Sequence, residues 1–353
     1  MSNARILPQT VTGKNQEIIM KFREQYMKGE IHFDAIFDYT EEWNYSDETC
    51  TLREYLGLTP EEEDVWISDS DEALEELLNK EKNRRIIFLD LDGTLLNDQK
   101  EFTSGNRKAI REALRAGHKV VISTGRPLVS ALAQAKELGL IGEGCYIISF
   151  NGGEIYDTAK GESIYRKTIP LPYVRQIFDA AKQMGLHCQT YDEEGILTET
   201  DTPIYHAYMK STKVGGRVVP DVIEALNGKE PVKMIVMYPQ DQEKLQNFRD
   251  ETAVWCNGKL DRFFSNPEYL EHVAPGISKG EAIRILCEHL DIPLANTIAA
   301  GDAENDISMI EAAAIGVAMA NAAPEVKAAA DYITKRTNNE DGVSEIIGKF
   351  MLS

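Results

Sequence analysis

The sequence predicts an α/β fold with a parallel sheet, a second α/β domain inserted into it, and a small all-α domain at the N-terminus. Three observations predict this organisation. From Arg85 onward, short apolar runs alternate with amphipathic helical segments, as is typical of parallel strands covered by helices. Residues from about 170 to 272 interrupt the alternation with helices and strands of their own. Residues 31–80 instead carry helix-start signals.

The N-terminal part predicts helices only. Residues 1–30 are polar with one candidate helix, and residues 31–80 form a compact helical unit. Two capping boxes, in which a hydroxyl and a carboxylate satisfy free amides at a helix start, occur at Thr51 with Glu54 and at Thr59 with Glu62. The apolar residues expected in its core are Phe33, Ile36, Phe37, Trp43, Leu52, Tyr55, Leu56, Val65, Trp66, Leu74, Leu77 and Leu78. The polar residues 80–84 predict a linker.

The rest of the chain predicts strands and helices in alternation. The expected strands are Ile86–Leu89, 120–122, 146–148, 297–300 and 316–319, with residues 232–237 as a strand of the insert. The expected helices are 103–116, 128–138 and a terminal helix from Val343. The insert therefore separates two halves of one sheet.

Composition excludes several classes of protein. Hydrophobic residues make up 42% and charged residues 27% of the 353 residues, which fits neither a disordered nor a membrane protein. The net charge is −20, and residues 1–80, with 19 acidic and 7 basic residues, contribute over half of it. Such a charge repels nucleic acid. Five widely spaced cysteines and the absence of an apolar signal core or membrane span predict a reduced, cytoplasmic protein.

The strongest motif is Asp90-Leu91-Asp92-Gly93-Thr94, directly after the first strand. Ligands of open parallel sheets bind beyond the carboxyl ends of strands, so both carboxylates would emerge into that crevice. Five specified positions recur by chance on the order of once per million positions. A solvated acidic turn is the alternative interpretation.

Two neighbouring carboxylates repel each other and any phosphate, unless a cation such as Mg²⁺ neutralises them. A second acidic motif, Gly301 to Asp306, again follows a strand, and Asp302 could complete such a metal site. Simple helix capping by Asp302 is the alternative. Asn305 and Asp306 lie on the turn into the next helix.

Two further elements suit a phosphate. Residues 123–127 follow the second strand and offer the Thr124 hydroxyl and loop amides, at Gly125 among others, near a helix start. Lys279 opens a helix after Ser278 and could place a positive charge over the phosphate. Taken alone, the first is more often a capping turn and the second a solvated lysine.

These motifs resemble those of the haloacid dehalogenase superfamily. Asp90 to Thr94, Thr124 to Arg126, Lys279, and Gly301 to Asp306 stand in the order and approximate spacing of its four motifs. More narrowly, the sequence resembles Cof-type phosphatases, with 148–153 and 276–280 as supporting matches. The resemblance covers about residues 84–353 and leaves out residues 1–80.

The resemblance implies a Rossmann-like catalytic core over residues 84–170 and 273–353, and an α/β cap over 171–272 that selects the substrate. It also implies a phosphatase acting on a small phosphorylated metabolite such as a sugar phosphate, nucleotide or cofactor phosphate. An acidic helical module, residues 1–80, would precede these domains.

The resemblance assigns roles to the motif residues as well. Asp90 would be the nucleophile that forms an aspartyl-phosphate, and Asp92 the general acid and base. Asp90, the backbone carbonyl of Asp92 and Asp302 would bind Mg²⁺. The residues expected to hold or approach the phosphate are Thr124, Gly125, Lys279 and Asn305, with Asp306 in a supporting position.

Other functions stay open at this point. A phosphosugar mutase of the same superfamily would share all four motifs. Residues 52–67 superficially resemble a helix-turn-helix, but the acidic run Glu61 to Asp64 would face DNA phosphates. A protein-contact or self-association role for residues 1–80 fits that charge better.

Overall fold

The computed structural model describes residues 21–352. The part of the predicted N-terminal module that covers residues 1–20 lies outside the described residues. The chain divides between Arg84 and Arg85 into two compact units. The first unit contains the helices α1 (Phe22–Lys28), α2 (Ala35–Tyr45), α3 (Leu52–Leu56), α4 (Pro60–Ser68) and α5 (Asp71–Lys82).

In residues 21–84 the regular structure of the first unit is all-helical, as predicted, and both capping boxes are present, at the starts of α3 and α4. Two details of the prediction are wrong. Helix α5 continues to Lys82, through most of the linker expected at residues 80–84. The reason is that lysines in the last turn interact favourably with the helix dipole. Phe37 is 50% exposed, since the buried side of α2 carries Ile36 and Tyr39, three residues apart.

One buried acid stands out in this unit. Glu62 is buried and accepts hydrogen bonds from the Nε of Arg23, at 2.8 Å, and from the backbone amide of Thr59, at 2.7 Å. The same carboxylate thus caps α4 and ties it to α1. Its place in the acidic run therefore has a structural explanation.

The second unit contains an eight-stranded sheet in the order β14-β13-β12-β1-β2-β3-β4-β5. Its strands are β1 (Ile86–Leu89), β2 (Lys119–Ser123), β3 (Cys145–Ser149), β4 (Glu154–Asp157), β5 (Glu162–Arg166), β12 (Thr297–Gly301), β13 (Ile315–Ala318) and β14 (Tyr332–Ile333). Its helices are α6 (Ser104–Arg115), α7 (Leu128–Leu138), α13 (Lys279–His289), α14 (Ile307–Ala312), α15 (Pro324–Ala329) and α16 (Gly342–Phe350).

The six strands from β14 to β3 are parallel, whereas β4 and β5 add an antiparallel hairpin at one edge. Successive side chains of the central strands enter opposite hydrophobic clusters: Ile87 and Leu89 lie in one, Ile86 and Phe88 in the other. A strand buried on both faces reads as a continuous apolar run. This is why the sequence predicts these strands well, and the α/β fold class is confirmed.

A second sheet lies between β5 and α13 along the chain, in the order β10-β11-β9-β6-β7-β8. Its strands are β6 (His187–Tyr191), β7 (Ile196–Thr198), β8 (Gly216–Val218), β9 (Lys233–Met237), β10 (Asp261–Asn266) and β11 (Tyr269–Val273). Its helices are α8 (Leu171–Gln183), α9 (Pro203–Thr212), α10 (Val222–Leu226), α11 (Gln242–Glu251) and α12 (Ala253–Cys256). We call this inserted part the cap.

The cap sheet is also covered on both faces. Met234 and Val236 of β9 pack in a cluster with residues of α8 and α11, while Ile235 and Met237 pack in a cluster that includes Phe150 of the core. The second cluster therefore joins the cap to the core. Within residues 21–352, no helix combines the length and apolar character that crossing a membrane requires.

Candidate active site

The predicted motifs meet at the carboxyl edge of the large sheet. Asp90 follows β1, Thr124 follows β2 and Asp302 follows β12, and these three strands are parallel neighbours with β1 in the middle. Parallel neighbours end at the same edge, which is where α/β sheets bind ligands. Lys279, the first residue of α13, reaches the same place.

Lys279 connects two of the acidic residues of this site. The side chain is buried, and its Nζ lies 2.6 Å from Asp90 Oδ1 and 2.6 Å from Asp306 Oδ1. Burial alone would lower the pKa of Lys279, but the two carboxylates outweigh burial and raise it. The lysine is therefore a fixed positive charge beside Asp90.

Asp306 holds both Lys279 and the loop of the second acidic motif. It is fully buried, and its Oδ2 accepts hydrogen bonds from the backbone amides of Asp302, at 2.9 Å, and Ala303, at 3.0 Å. A Cβ on Gly301 would come within 2.3 Å of the Asp306 Cβ. Both oxygens of Asp306 are thus engaged, which makes it a positioning group.

Three carboxylates converge at one point. Oxygens of Asp90, Asp302 and Asp306 lie within 4.8 Å of one another. Burial raises the pKa of Asp302 to about 6, against the lowering effect of a hydrogen bond from Thr94 Oγ1, 2.9 Å away. Burial also raises the pKa of Asp90. Three acids against one lysine leave excess negative charge, and an all-oxygen donor set of this kind fits Mg²⁺.

Asp92 points to different partners. Arg126 donates two hydrogen bonds to its carboxylate, at 2.8 and 2.7 Å, and Lys100 donates a third at 2.9 Å. Burial would raise the pKa of Asp92, but these cations together lower it. A general acid requires a raised pKa. In this arrangement Asp92 is instead an ionised carboxylate, which is the form that acts as a general base.

The predicted phosphate loop lies beside a second turn. Thr124 is buried, and a Cβ on Gly125 would come within 2.9 Å of the Asn151 Oδ1. Asn305 donates a hydrogen bond to that same oxygen, at 3.1 Å. Asn151, at a φ of 58°, therefore connects the loop after β2 with the loop after β12.

The sequence predicts roles for most of these residues but not all. Lys100 and Thr94 were assigned no role, because a single lysine or threonine carries no signal of what it contacts. Arg126 lies inside a recognised motif and Asn151 inside a supporting match, so both could have been found from their position.

Comparisons with known proteins identify this architecture. The family model for haloacid dehalogenase-like hydrolases matches residues 87–347. The chain belongs to this family. The predictions of family and of enzyme class, a phosphatase of this family, are confirmed.

Three similar proteins are matched over nearly their whole length. The chain is 34% identical to the 5-amino-6-(5-phospho-D-ribitylamino)uracil phosphatase YcsE of Bacillus subtilis, over 76% of this chain and 96% of that protein. A solved haloacid dehalogenase-like hydrolase from Bacteroides thetaiotaomicron superposes with a TM-score of 0.71 at 36% identity, covering 75% of this chain and 99% of that one. A solved subclass IIB sugar phosphatase gives a TM-score of 0.61 at 27% identity, and the match covers 75% of this chain and 98% of that one.

Proposed function

We propose that this protein is a Mg²⁺-dependent phosphatase that hydrolyses a small phosphomonoester through an aspartyl-phosphate on Asp90. The observation that supports it best is the cluster of Asp90, Lys279, Asp302 and Asp306, in which a carboxylate at a strand end lies beside a fixed cation and two further acids. Phosphoryl transfer needs positioning and positive charge more than any other contribution from a protein.

Asp90 attacks phosphorus, and the phosphorus–oxygen bond to the leaving group breaks. Water then attacks the aspartyl-phosphate and releases inorganic phosphate, which regenerates the carboxylate. Splitting the reaction into two displacements is the benefit of covalent catalysis. Lys279 stabilises the charge on the transferring phosphoryl oxygens, while Asp306 holds its Nζ in place.

The metal ion would be held by Asp90, Asp302 and the backbone carbonyl of Asp92. When bound, it supplies positive charge that keeps Asp90 ionised and offsets the charge of the phosphate. Thr94 orients Asp302 through its hydroxyl. Thr124 and the backbone amide of Gly125 bind the phosphoryl oxygens, and Asn305 is linked to that loop through Asn151.

Asp92 serves as the proton-transfer group. Held by Arg126 and Lys100, it is ready to accept a proton from the hydrolytic water. Donation of a proton to the leaving group requires that these two cations release it, which raises its pKa. The substrate complex must therefore differ from this structure at Asp92.

The substrate is proposed to be a small phosphorylated metabolite. One similar protein is named as a phosphatase of a phosphorylated ribitylaminouracil, and another as a sugar phosphatase. The cap would select among metabolites of this class. A screen of sugar phosphates, nucleotides and cofactor phosphates identifies the preferred class.

The test is p-nitrophenyl phosphate turnover with Mg²⁺ and with EDTA. We expect activity that EDTA abolishes and Mg²⁺ restores, and none in Asp90→Asn. Asp47→Asn, in the exposed part of the first unit, is the matched control and should behave as the unaltered chain. Substantial turnover by Asp90→Asn would contradict the covalent mechanism, and undiminished turnover in EDTA would contradict the metal requirement.

A further inference from the structure

A lysine of the cap reaches the predicted phosphate loop. Lys233 stands at the start of β9 and is only 2% exposed. Its Nζ donates a hydrogen bond to the backbone carbonyl of Gly125, at 3.1 Å, and lies 3.1 Å from Glu271 of the neighbouring strand β11. A charged side chain of the cap is thus bound to the backbone of the core.

With this contact, three successive backbone carbonyls of the predicted phosphate loop, those of residues 124–126, all accept hydrogen bonds. The carbonyl of Thr124 accepts a hydrogen bond from the Asn151 amide at 3.0 Å, and the carbonyl of Arg126 accepts one from the Phe150 amide at 3.1 Å. The carbonyl between them, on Gly125, is the one that Lys233 holds. The core therefore fixes two of three successive carbonyls, and the cap fixes the middle one.

The middle carbonyl controls the Thr124 hydroxyl through one rigid peptide. The Gly125 carbonyl and the Arg126 amide belong to the same planar group and point in opposite directions. The Arg126 amide donates to Thr124 Oγ1, at 3.2 Å. Because the Arg126 amide is a donor and cannot accept, the hydroxyl's own hydrogen must point to another acceptor, which in the proposed function is a phosphoryl oxygen.

Stability is a weak explanation for the buried pair. The Lys233 Nζ lies near the rings of Phe150 and Tyr191, 5.8 and 5.7 Å from their centroids. Glu271 Oε2 is buried, and its approach to the lysine does not meet hydrogen-bond geometry. Burying two charges with one of them poorly satisfied gains little over apolar side chains, so a role in the loop explains the pair better.

We propose that Lys233 is a positioning residue of the phosphate site. By holding the Gly125–Arg126 peptide, it aims the Thr124 hydroxyl at the phosphoryl group. The phosphate site is then complete only when the cap lies against the core. This proposal rests on the proposed phosphatase function and adds the cap to its phosphate-binding machinery.

The experiment uses full-length variants, and the decisive double variants remove both buried charges together. Lys233→Met with Glu271→Gln removes the contact and both charges, whereas Glu271→Gln alone keeps the lysine. The competitive inhibition constant of inorganic phosphate against p-nitrophenyl phosphate should weaken about tenfold in the double variant, as for one lost charge-assisted hydrogen bond. It should change less than about twofold in Glu271→Gln. Lys233→Gln with Glu271→Gln is a second neutral pair if the first fails to fold.

A double-mutant cycle separates this role from a merely structural one. In a Thr124→Val background, removing the Lys233 contact should cost nothing further, because its effect passes through the missing hydroxyl. A full additional loss there, or unchanged phosphate inhibition in the double variant, overturns the proposal. If the unaltered chain hydrolyses no phosphate ester, the proposed function fails instead, and calorimetric binding of inorganic phosphate to the same variants still decides the role of Lys233.

Discussion

Replacing Gly93 by alanine should disable the proposed metal site. Gly93 has a φ of 82°, and a Cβ there would lie 2.2 Å from Asp302 Oδ2. Ordinary contact begins at 3.4 Å, so the Asp302 carboxylate must withdraw by about 1.2 Å, the difference between these two distances. We expect this shift to break the 2.9 Å hydrogen bond from Thr94 to Asp302 Oδ1, because a movement of that size along the bond exceeds hydrogen-bond range.

Two costs follow from this substitution. The left-handed backbone costs about 1–2 kcal/mol of stability with any L side chain. The displacement near the reacting groups should lower kcat/KM by about a hundredfold, and the loss of one oriented carboxylate should raise the Mg²⁺ concentration for half-maximal activity about tenfold. A Mg²⁺ titration of p-nitrophenyl phosphate turnover measures both quantities.

Gly139 provides the matched control. Its φ is 79°, nearly the same as that of Gly93, but a Cβ there has nothing within 4 Å. Gly139→Ala should therefore show the loss of stability by chemical denaturation without the change in Mg²⁺ dependence. If Gly93→Ala responds to Mg²⁺ as Gly139→Ala does, the reasoning about Asp302 is refuted.

Three other predictions concern the remaining parts of the chain. Asp306→Asn should lower kcat at least about tenfold in steady-state assays, because Lys279 loses the partner that holds its Nζ; unchanged kcat would contradict this. A variant lacking residues 1–84 should keep its kcat/KM, because all proposed catalytic residues lie in the second compact unit; loss of activity by a folded variant would contradict it. Glu62→Ala should destabilise the first unit by about 1–3 kcal/mol in chemical denaturation, since it breaks a buried cap and ion pair. Replacing the exposed capping residue Glu54 by alanine should destabilise it clearly less, and equal losses would contradict the role of burial.

The central strands and the site motifs could be predicted because their signals are local. Buried parallel strands such as β1 appear as uninterrupted apolar runs, and functional groups of such sheets follow the strand ends. The four motifs are therefore visible without knowledge of the fold. Helix starts were equally local: the capping boxes at Thr51 and Thr59 form as expected.

Side-chain contacts that form only in the folded chain had no such signal. Lys100 and Lys233 are isolated lysines whose partners, Asp92 and the Gly125 carbonyl, are set only by the packed structure. The exposure of Phe37 shows the same limit on a smaller scale. Consecutive residues on a helix are rotated by about 100° from each other. Composition alone does not decide which of two neighbouring apolar residues, such as Ile36 and Phe37, faces inward.

The position of the cap within the chain has a consequence for how the protein is made. Strand β1 pairs with β2 on one side and with β12 on the other, and Phe88 of β1 is matched with Ala299 of β12. During synthesis the whole cap leaves the ribosome before β12, so one edge of the central strand stays open for most of translation. Unpaired apolar edges invite association with other chains. Early termination within the cap would release a product that lacks Lys279 and keeps that edge exposed, and it should therefore aggregate rather than accumulate as a soluble inactive fragment.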